Sequence, residues 1–326
     1  MRSTARSSKQ SSLASKNYTP RQTQNAKKPC SRALQTDDAE MRWRIHNSKN
    51  KSEQISQPDS HLQPHRPYAY VRVPTIKSQL SHVYYATMSI TNPKVLIIGA
   101  THGDELLGTK LYPYILRKHP ELLEYVDFIV GNPKAYAQKV RYTQSDLNRC
   151  YGKQGSTYEH ARARYIAHYI NITKPDLVLD MHTTTCIQPS CLIINDLAGA
   201  LKKRFLRASS IDILLQVKPL HDITSIKQNV IGYEIPKKCV STQALEAICQ
   251  DILRFSRNTT HTKTKQLYKM KDKIYKKDIS NTVAKTFVNF EKHELGFIPI
   301  MTGENSYKKH TDYLGFKASG PEKITL

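Results

Sequence analysis

The chain has 326 residues, 39% of them hydrophobic, and a formal net charge of +23. That length and apolar content support one large or two modest domains with a real core, and no run of ~18 apolar residues reads as a transmembrane helix. Six cysteines, at positions 30, 150, 186, 191, 239 and 249, lack metal-site or disulfide-framework spacing and read as free thiols in a reducing, cytoplasmic compartment.

Residues 1–66 contain no Val, Phe or Gly and are rich in Ser, Gln, Lys and Arg, so they lack the apolar surface that would offset chain entropy. They read as a disordered basic tail. The first acidic residue is Asp37; the stretch before it has the composition of an organellar transit peptide as well as of a solvated tail. The tail holds 13 Lys and Arg against 5 Asp and Glu, net +8, which leaves net +15 for the remainder. Seven lysines and one aspartate fall between Lys263 and Lys277, interleaved with Tyr268 and Tyr275. Such a stripe grips phosphates or forms a solvated, lysine-rich edge strand or linker. No nucleic-acid motif accompanies it, so neither a specific nucleic acid nor a membrane is expected as partner, while a positive field steers small anionic substrates inward.

Order is expected from Pro67. Residues 68–73 and 82–88 have the aromatic and β-branched content of strands, antiparallel companions leading into the buried strand Val95–Ile98. That strand empties into Gly99-Ala-Thr-His102-Gly-Asp-Glu105. Beyond a strand's carboxyl end is where ligands bind in an open α/β sheet. A helix follows from Glu105 to about Lys118, then a strand from Val126 and a helix from Tyr158 to Ile172. Leu177–Leu179 is a second buried strand, ending in Asp180-Met-His182 and a run of threonines. His102, Glu105 and His182 can converge on one point, and an imidazole, carboxylate, imidazole set with an open position suits a catalytic Zn2+.

Between these strands, Arg141-Tyr-Thr-Gln-Ser-Asp-Leu-Asn-Arg149 has no apolar period and forms a loop over the strand ends. An arginine fork binds carboxylate, and a second guanidinium stabilises an oxyanion. Glu234 stands alone within the apolar strand pattern Ile231–Ile235. A lone buried glutamate is costly unless paired or functional, and hydrolysis needs a general base. Thr242 to about Phe255 is an amphipathic helix. Strand-like runs at Thr286–Phe290 and Phe297–Ile300 point to a small β-rich C-terminal domain.

The motifs Gly99-x-Thr-His-Gly-x-Glu105, Asp146-Leu-Asn-Arg149 and Asp180-Met-His182, in this order and spacing, resemble those of the aspartoacylase and succinylglutamate desuccinylase family, relatives of the zinc carboxypeptidases. The similarity runs from Val95 to the C-terminus and is strongest toward aspartoacylases. It implies a zinc-carboxypeptidase-like, doubly wound, mostly parallel (mixed) α/β sheet, with a catalytic domain over 67–261 and a capping domain over 262–326. It also implies one Zn2+ per chain on His102, Glu105 and His182, with Glu234 as the catalytic glutamate and Arg141 polarising the amide carbonyl. Asn148 and Arg149 would clamp the substrate carboxylate. Tyr307 resembles the family's substrate-binding tyrosine and reads equally well as a buried structural one. Homo-oligomer formation is a further implication. Two departures stand out: Ile235-Pro-Lys-Lys-Cys-Val240 replaces a Gly-Pro-Gln-Pro-Gln-Gly-like turn, and Thr224 occupies the place of an arginine, leaving Lys227, Lys237 and Lys238 as substitutes. The expected activity is zinc-dependent hydrolysis of N-acetyl-L-aspartate to acetate and aspartate. The alternatives are an N-succinylglutamate or aromatic N-acyl amino acid deacylase, and a non-catalytic polyanion-binding protein.

Overall fold

The computed structural model describes residues 93–326 apart from 218–221, 228 and 260. The expected tail and the strands at 68–73 and 82–88 lie outside the described residues. The elements are β1 (Val95–Gly99), α1 (Leu107–Lys118), β2 (Val126–Val130), α2 (Pro133–Gln138), α3 (Tyr158–Thr173), β3 (Leu177–Thr184), β4 (Cys191–Ile194), α4 (Ala200–Ala208), β5 (Ile213–Gln216), β6 (Val230–Pro236), α5 (Thr242–Ser256), β7 (Thr264–Tyr275), α6 (Asn281–Ala284), β8 (Ile298–Ile300), α7 (Asn305–His310) and β9 (Tyr313–Thr325). They build one nine-stranded sheet of order β2-β1-β3-β6-β4-β5-β7-β9-β8. Parallel pairing joins β2, β1, β3 and β6, and antiparallel pairing enters at β4–β6, β7–β9 and β8–β9. No helix among the described residues is long and apolar enough to cross a membrane.

Strands β1 and β3 are buried along their whole length because helices cover both faces. Val95 and Ile97 face one core with Leu107, Leu111 and Ile115 of α1 and Ile248 and Ile252 of α5. Leu96 and Ile98 face the other, with Ala163, Ile166 and Ile170 of α3. The strand period of two then decides where β6 sends its polar residue. Ile231, Tyr233 and Ile235 join the first core, so Val230, Gly232 and Glu234 turn to the opposite face. Close packing at the β1 end depends on glycine: a Cβ on Gly99 would stand 2.9 Å from the backbone of Gly108 in α1.

Three expectations need correction. Glu105 precedes α1, whose N-cap is Leu106, rather than opening it. Residues 286–290 form no strand. There Asn289 turns inward, its amide donating to the carbonyls of Ile187 and Thr302 and its oxygen accepting from Thr302, so the chain is pinned by side-chain bonds instead of a ladder. The lysine-rich stripe is neither linker nor edge strand. It is β7, paired with β5 on one side and β9 on the other. Lys265 is fully buried within it, its ammonium held by the Ser209 and Ile211 carbonyls and Asp212.

Candidate active site

Parallel pairing sets Gly99 beside Met181, so the loop after β1 and the end of β3 open at the same level. Gly103 lets that loop lie against α2, where a Cβ would meet the Ala135 backbone at 2.1 Å. His102 and Glu105 thereby face His182. His102 Nδ1 lies 2.8 Å from Glu105 Oε1, and His182 Nδ1 lies 3.0 Å from Glu105 Oε2. All three side chains are buried, and one ligand atom from each lies within 4.8 Å of the others. A divalent metal fits this donor set: each imidazole turns its other nitrogen to a carboxylate, which fixes tautomer and ring orientation. His102 Nε2 is 3.1 Å from Asp146 Oδ1, and His182 Nε2 is 2.9 Å from Asp180 Oδ2. The Thr101 hydroxyl donates to Asp180 Oδ1 at 2.6 Å.

Electrostatics follows from this geometry. Burial opposes ionisation of Glu105, but the His102 and His182 contacts outweigh it and hold the carboxyl well below the usual range. Burial likewise opposes charge on His182, and Asp180 with Glu105 overrides it, raising the imidazole well above its ordinary value. Glu234 lies beside His182 in the β3–β6 register. It is 8% exposed, and burial followed by the charge of Glu105 pushes its carboxyl up to about 8.

The arginine segment is a loop with one 3-10 turn at Leu147–Arg149, capped by Asp146, which accepts from the Asn148 N–H at 2.9 Å. Arg141 reaches Glu105 Oε1 at 3.2 Å and Asp146 Oδ2 at 3.5 Å. Arg149 donates to the Asn148 carbonyl at 3.1 Å, and the Asn148 side-chain oxygen is buried without a protein partner. What holds this loop is Glu159 at the start of α3. Its carboxylate accepts from the N–H groups of Thr143, Gln144 and Ser145, the Thr143 hydroxyl and the Asn132 amide. Burial would raise Glu159, yet these donors bring it down to about 2. An acidic residue in a helix's first turn reads from sequence as a dipole partner, which hides this role.

These residues line a cavity of about 440 Å³, a volume suited to a small organic ligand. His102, Glu105, Arg141, Asn148, Arg149, His182, Glu234 and Tyr307 all reach it. Tyr307 is also packed on Tyr313 and Phe316, with centroids at 4.9 and 5.8 Å, so it belongs both to the wall and to the local core. The carboxylate of Glu304 ties the start of α7 to Thr184 and the Thr185 N–H, each at 2.7 Å. Thr224 lines the cavity, but Lys227, Lys237 and Lys238 do not; Lys237 pairs instead with Asp104 at 3.0 Å. Those three lysines are therefore no substitute for the missing arginine.

The architecture is that of a zinc-carboxypeptidase-like α/β protein with a His-Glu-His group at its strand ends. The profile of the succinylglutamate desuccinylase/aspartoacylase catalytic domain matches residues 91–231, so this part of the chain is similar to that domain. A probable aspartoacylase of Nostoc sp. is 34% identical over 137 residues, covering 38% of this chain and 46% of the relative. One from Prochlorococcus marinus is 32% identical over 118 residues, covering 32% and 39%. The chain thus spans less than half the length of these curated relatives. Among solved structures, murine aminoacylase 3 superposes with a TM-score of 0.54 at 21% identity, over 72% of this chain and 96% of that one. The succinylglutamate desuccinylase of Chromobacterium violaceum gives 0.53 at 14%, over 72% and 86%. At these identities the likeness is one of fold.

Proposed function

We propose that this protein is a zinc-dependent amidohydrolase that cleaves an N-acyl amino acid, with N-acetyl-L-aspartate as the leading substrate. The observation that carries the reading is the convergence of His102, Glu105 and His182 beside Glu234, a buried carboxylate in register with His182. Zinc held by those three residues would supply Lewis-acid chemistry toward a carbonyl and toward water. Glu234 takes the proton of the attacking water and returns it to the leaving nitrogen, so the acyl group gains hydroxyl as the C–N bond breaks. Arg141 donates to the carbonyl oxygen as negative charge develops there. Asn148, whose side-chain oxygen has no protein partner, and Arg149 fix the substrate's α-carboxylate, and the Tyr307 hydroxyl adds a further contact. Five free cysteines among the described residues accord with a cytoplasmic setting.

The same cavity is also lined by the apolar side chains of Ile193, Val217, Met270 and Phe316, which pack in one cluster, and these favour an aromatic N-acyl amino acid as the second reading. Acetate release from N-acetyl-L-aspartate and from N-acetyl-L-phenylalanine, with and without a chelator, tests both. Chelator-sensitive turnover of either is the expected result; turnover indifferent to the chelator sinks the zinc mechanism.

A further inference from the structure

Five cationic side chains line the cavity: Arg141, Arg149, Lys153, Lys271 and Lys273. Three of them are engaged. Arg141 lies on Glu105 and Asp146, Arg149 on the Asn148 carbonyl, and the Lys273 ammonium sits 4.8 Å from the Tyr313 ring centroid. The ammonium groups of Lys153 and Lys271 have no hydrogen bond or ion pair to a described residue. Lys271 falls at a β-bulge of β7, between Met270 and Asp272.

Lys153 is placed differently. It follows the Leu147–Arg149 turn by way of Gly152, whose φ of +68° is in the left-handed region that glycine adopts without strain. The Lys153 N–H closes this turn on the Cys150 carbonyl at 3.2 Å. A Cβ on Gly152 would stand 3.2 Å from the Ser225 hydroxyl. The turn carrying Lys153 therefore lies against the Ile223–Ser225 turn, which presents Thr224 to the same cavity. Lys153 is thus an uncommitted cation four residues from Arg149, facing a turn that presents the neutral Thr224 and the Asp222 carboxyl, the latter accepting from the Thr224 N–H at 2.8 Å.

We propose that Lys153 reads a second anionic group on the substrate, pairing with a side-chain carboxylate while Asn148 and Arg149 hold the α-carboxylate. This rests on the deacylase reading and deepens it: Lys153 sets a preference for acidic over neutral N-acyl amino acids. A neutral side chain leaves the ammonium in water and gains nothing from it, so the selectivity is one of affinity. Lysine offers a point charge without a fork, and its side chain is exposed. The discrimination it supplies is accordingly modest.

The test is calorimetric binding of N-acetyl-L-aspartate and N-acetyl-L-alanine to zinc-loaded Glu234→Gln protein, with and without Lys153→Met, alongside kcat and KM of the same lysine variant in the active background. Lys153→Met is expected to weaken the aspartate ligand about tenfold, and the alanine ligand less than about twofold, as befits a partly screened pair. In turnover the loss falls on KM rather than kcat, and Lys153→Arg restores it. Equal weakening of both ligands, no weakening of the aspartate ligand, or a selective loss in Lys271→Met instead each overturns the assignment. If the active protein hydrolyses no N-acyl amino acid while the binding difference persists, the deacylase reading falls and the anion-reading role of Lys153 stands.

Discussion

Strand β6 sends two neighbouring ionisable side chains to opposite faces of the sheet, and the two faces treat charge in opposite ways. Tyr233 points into the core and donates at 3.0 Å to Asp251, which also accepts from the Ser209 hydroxyl, the Ser210 N–H and Arg254. Glu234 points into the cavity, where the charges of His182 and His102 act on it from a distance and pull its carboxyl downward. Burial pushes both carboxyls upward. The donors around Asp251 pull against that push, whereas at Glu234 the charge of Glu105 adds to it and the two together outweigh the pull of His182 and His102, leaving the carboxyl at about 8. A buried acid with donors on every side is a joint; one left without them is poised to exchange a proton near neutrality.

Replacement on the two faces should therefore separate chemistry from stability. Glu234→Gln keeps shape and removes the proton acceptor, so turnover should fall by about 10³ with bound zinc unchanged; metal analysis beside acetate release checks it, and retention of activity would remove Glu234 from the mechanism. Asp251→Ala should instead lower unfolding free energy by about 3 kcal/mol, because it strips Ser209, Ser210 and Tyr233 of a shared buried acceptor. Its kcat at low temperature should stay within about twofold, since it lies on the far face of β6. A large loss of kcat there would mean that the two faces are coupled through the strand.

How much of this was legible in the sequence depended on the range of the interaction. Strands β1 and β3 announce themselves as continuous apolar runs and helix α5 through its amphipathic period, and His102 and His182 through their place after the buried runs. The short elements β4, α4 and β5 do not, because four-residue strands such as Cys191–Ile194 carry too few residues to set a period. Lysine-rich β7 read as an edge because charge usually marks one. Lys265 defeats that rule through acceptors at Ser209 and Ile211, more than 50 residues away in sequence. Glu159 and the carboxylates behind the two histidines are likewise matters of folding, joined to their partners only when the strand ends meet.

Those carboxylates give a finer probe of the cavity face. Asp180 holds His182 at 2.9 Å and is itself held by Thr101. Asp180→Asn preserves volume but weakens the acceptor behind the imidazole, so zinc affinity should fall about 10–100-fold. Competition against a chromogenic chelator measures this, and wild-type affinity in the variant would show that the histidine needs no carboxylate to orient it.

The smallest effects are expected in the stability of chelator-treated protein as pH changes, where Glu159 and Glu234 act with opposite sign. Glu159 is depressed to about 2 in the fold, so its contribution is complete above the ordinary carboxyl value near 4.5 and is lost as pH falls toward 2. That contribution is on the order of 2 kcal/mol, and Glu159→Gln should flatten this acid limb. Glu234 is raised to about 8, so between about 4.5 and 8 the folded state keeps a proton that the unfolded chain has released, and stability declines with rising pH. Glu234→Gln should remove this second slope and melt above the parent protein at pH 8 while matching it near pH 4. Melting curves of the two variants across that range decide the matter. An unchanged alkaline slope in Glu234→Gln would mean that the cavity hydrates the carboxylate and that its proton is held no more tightly than on the unfolded chain.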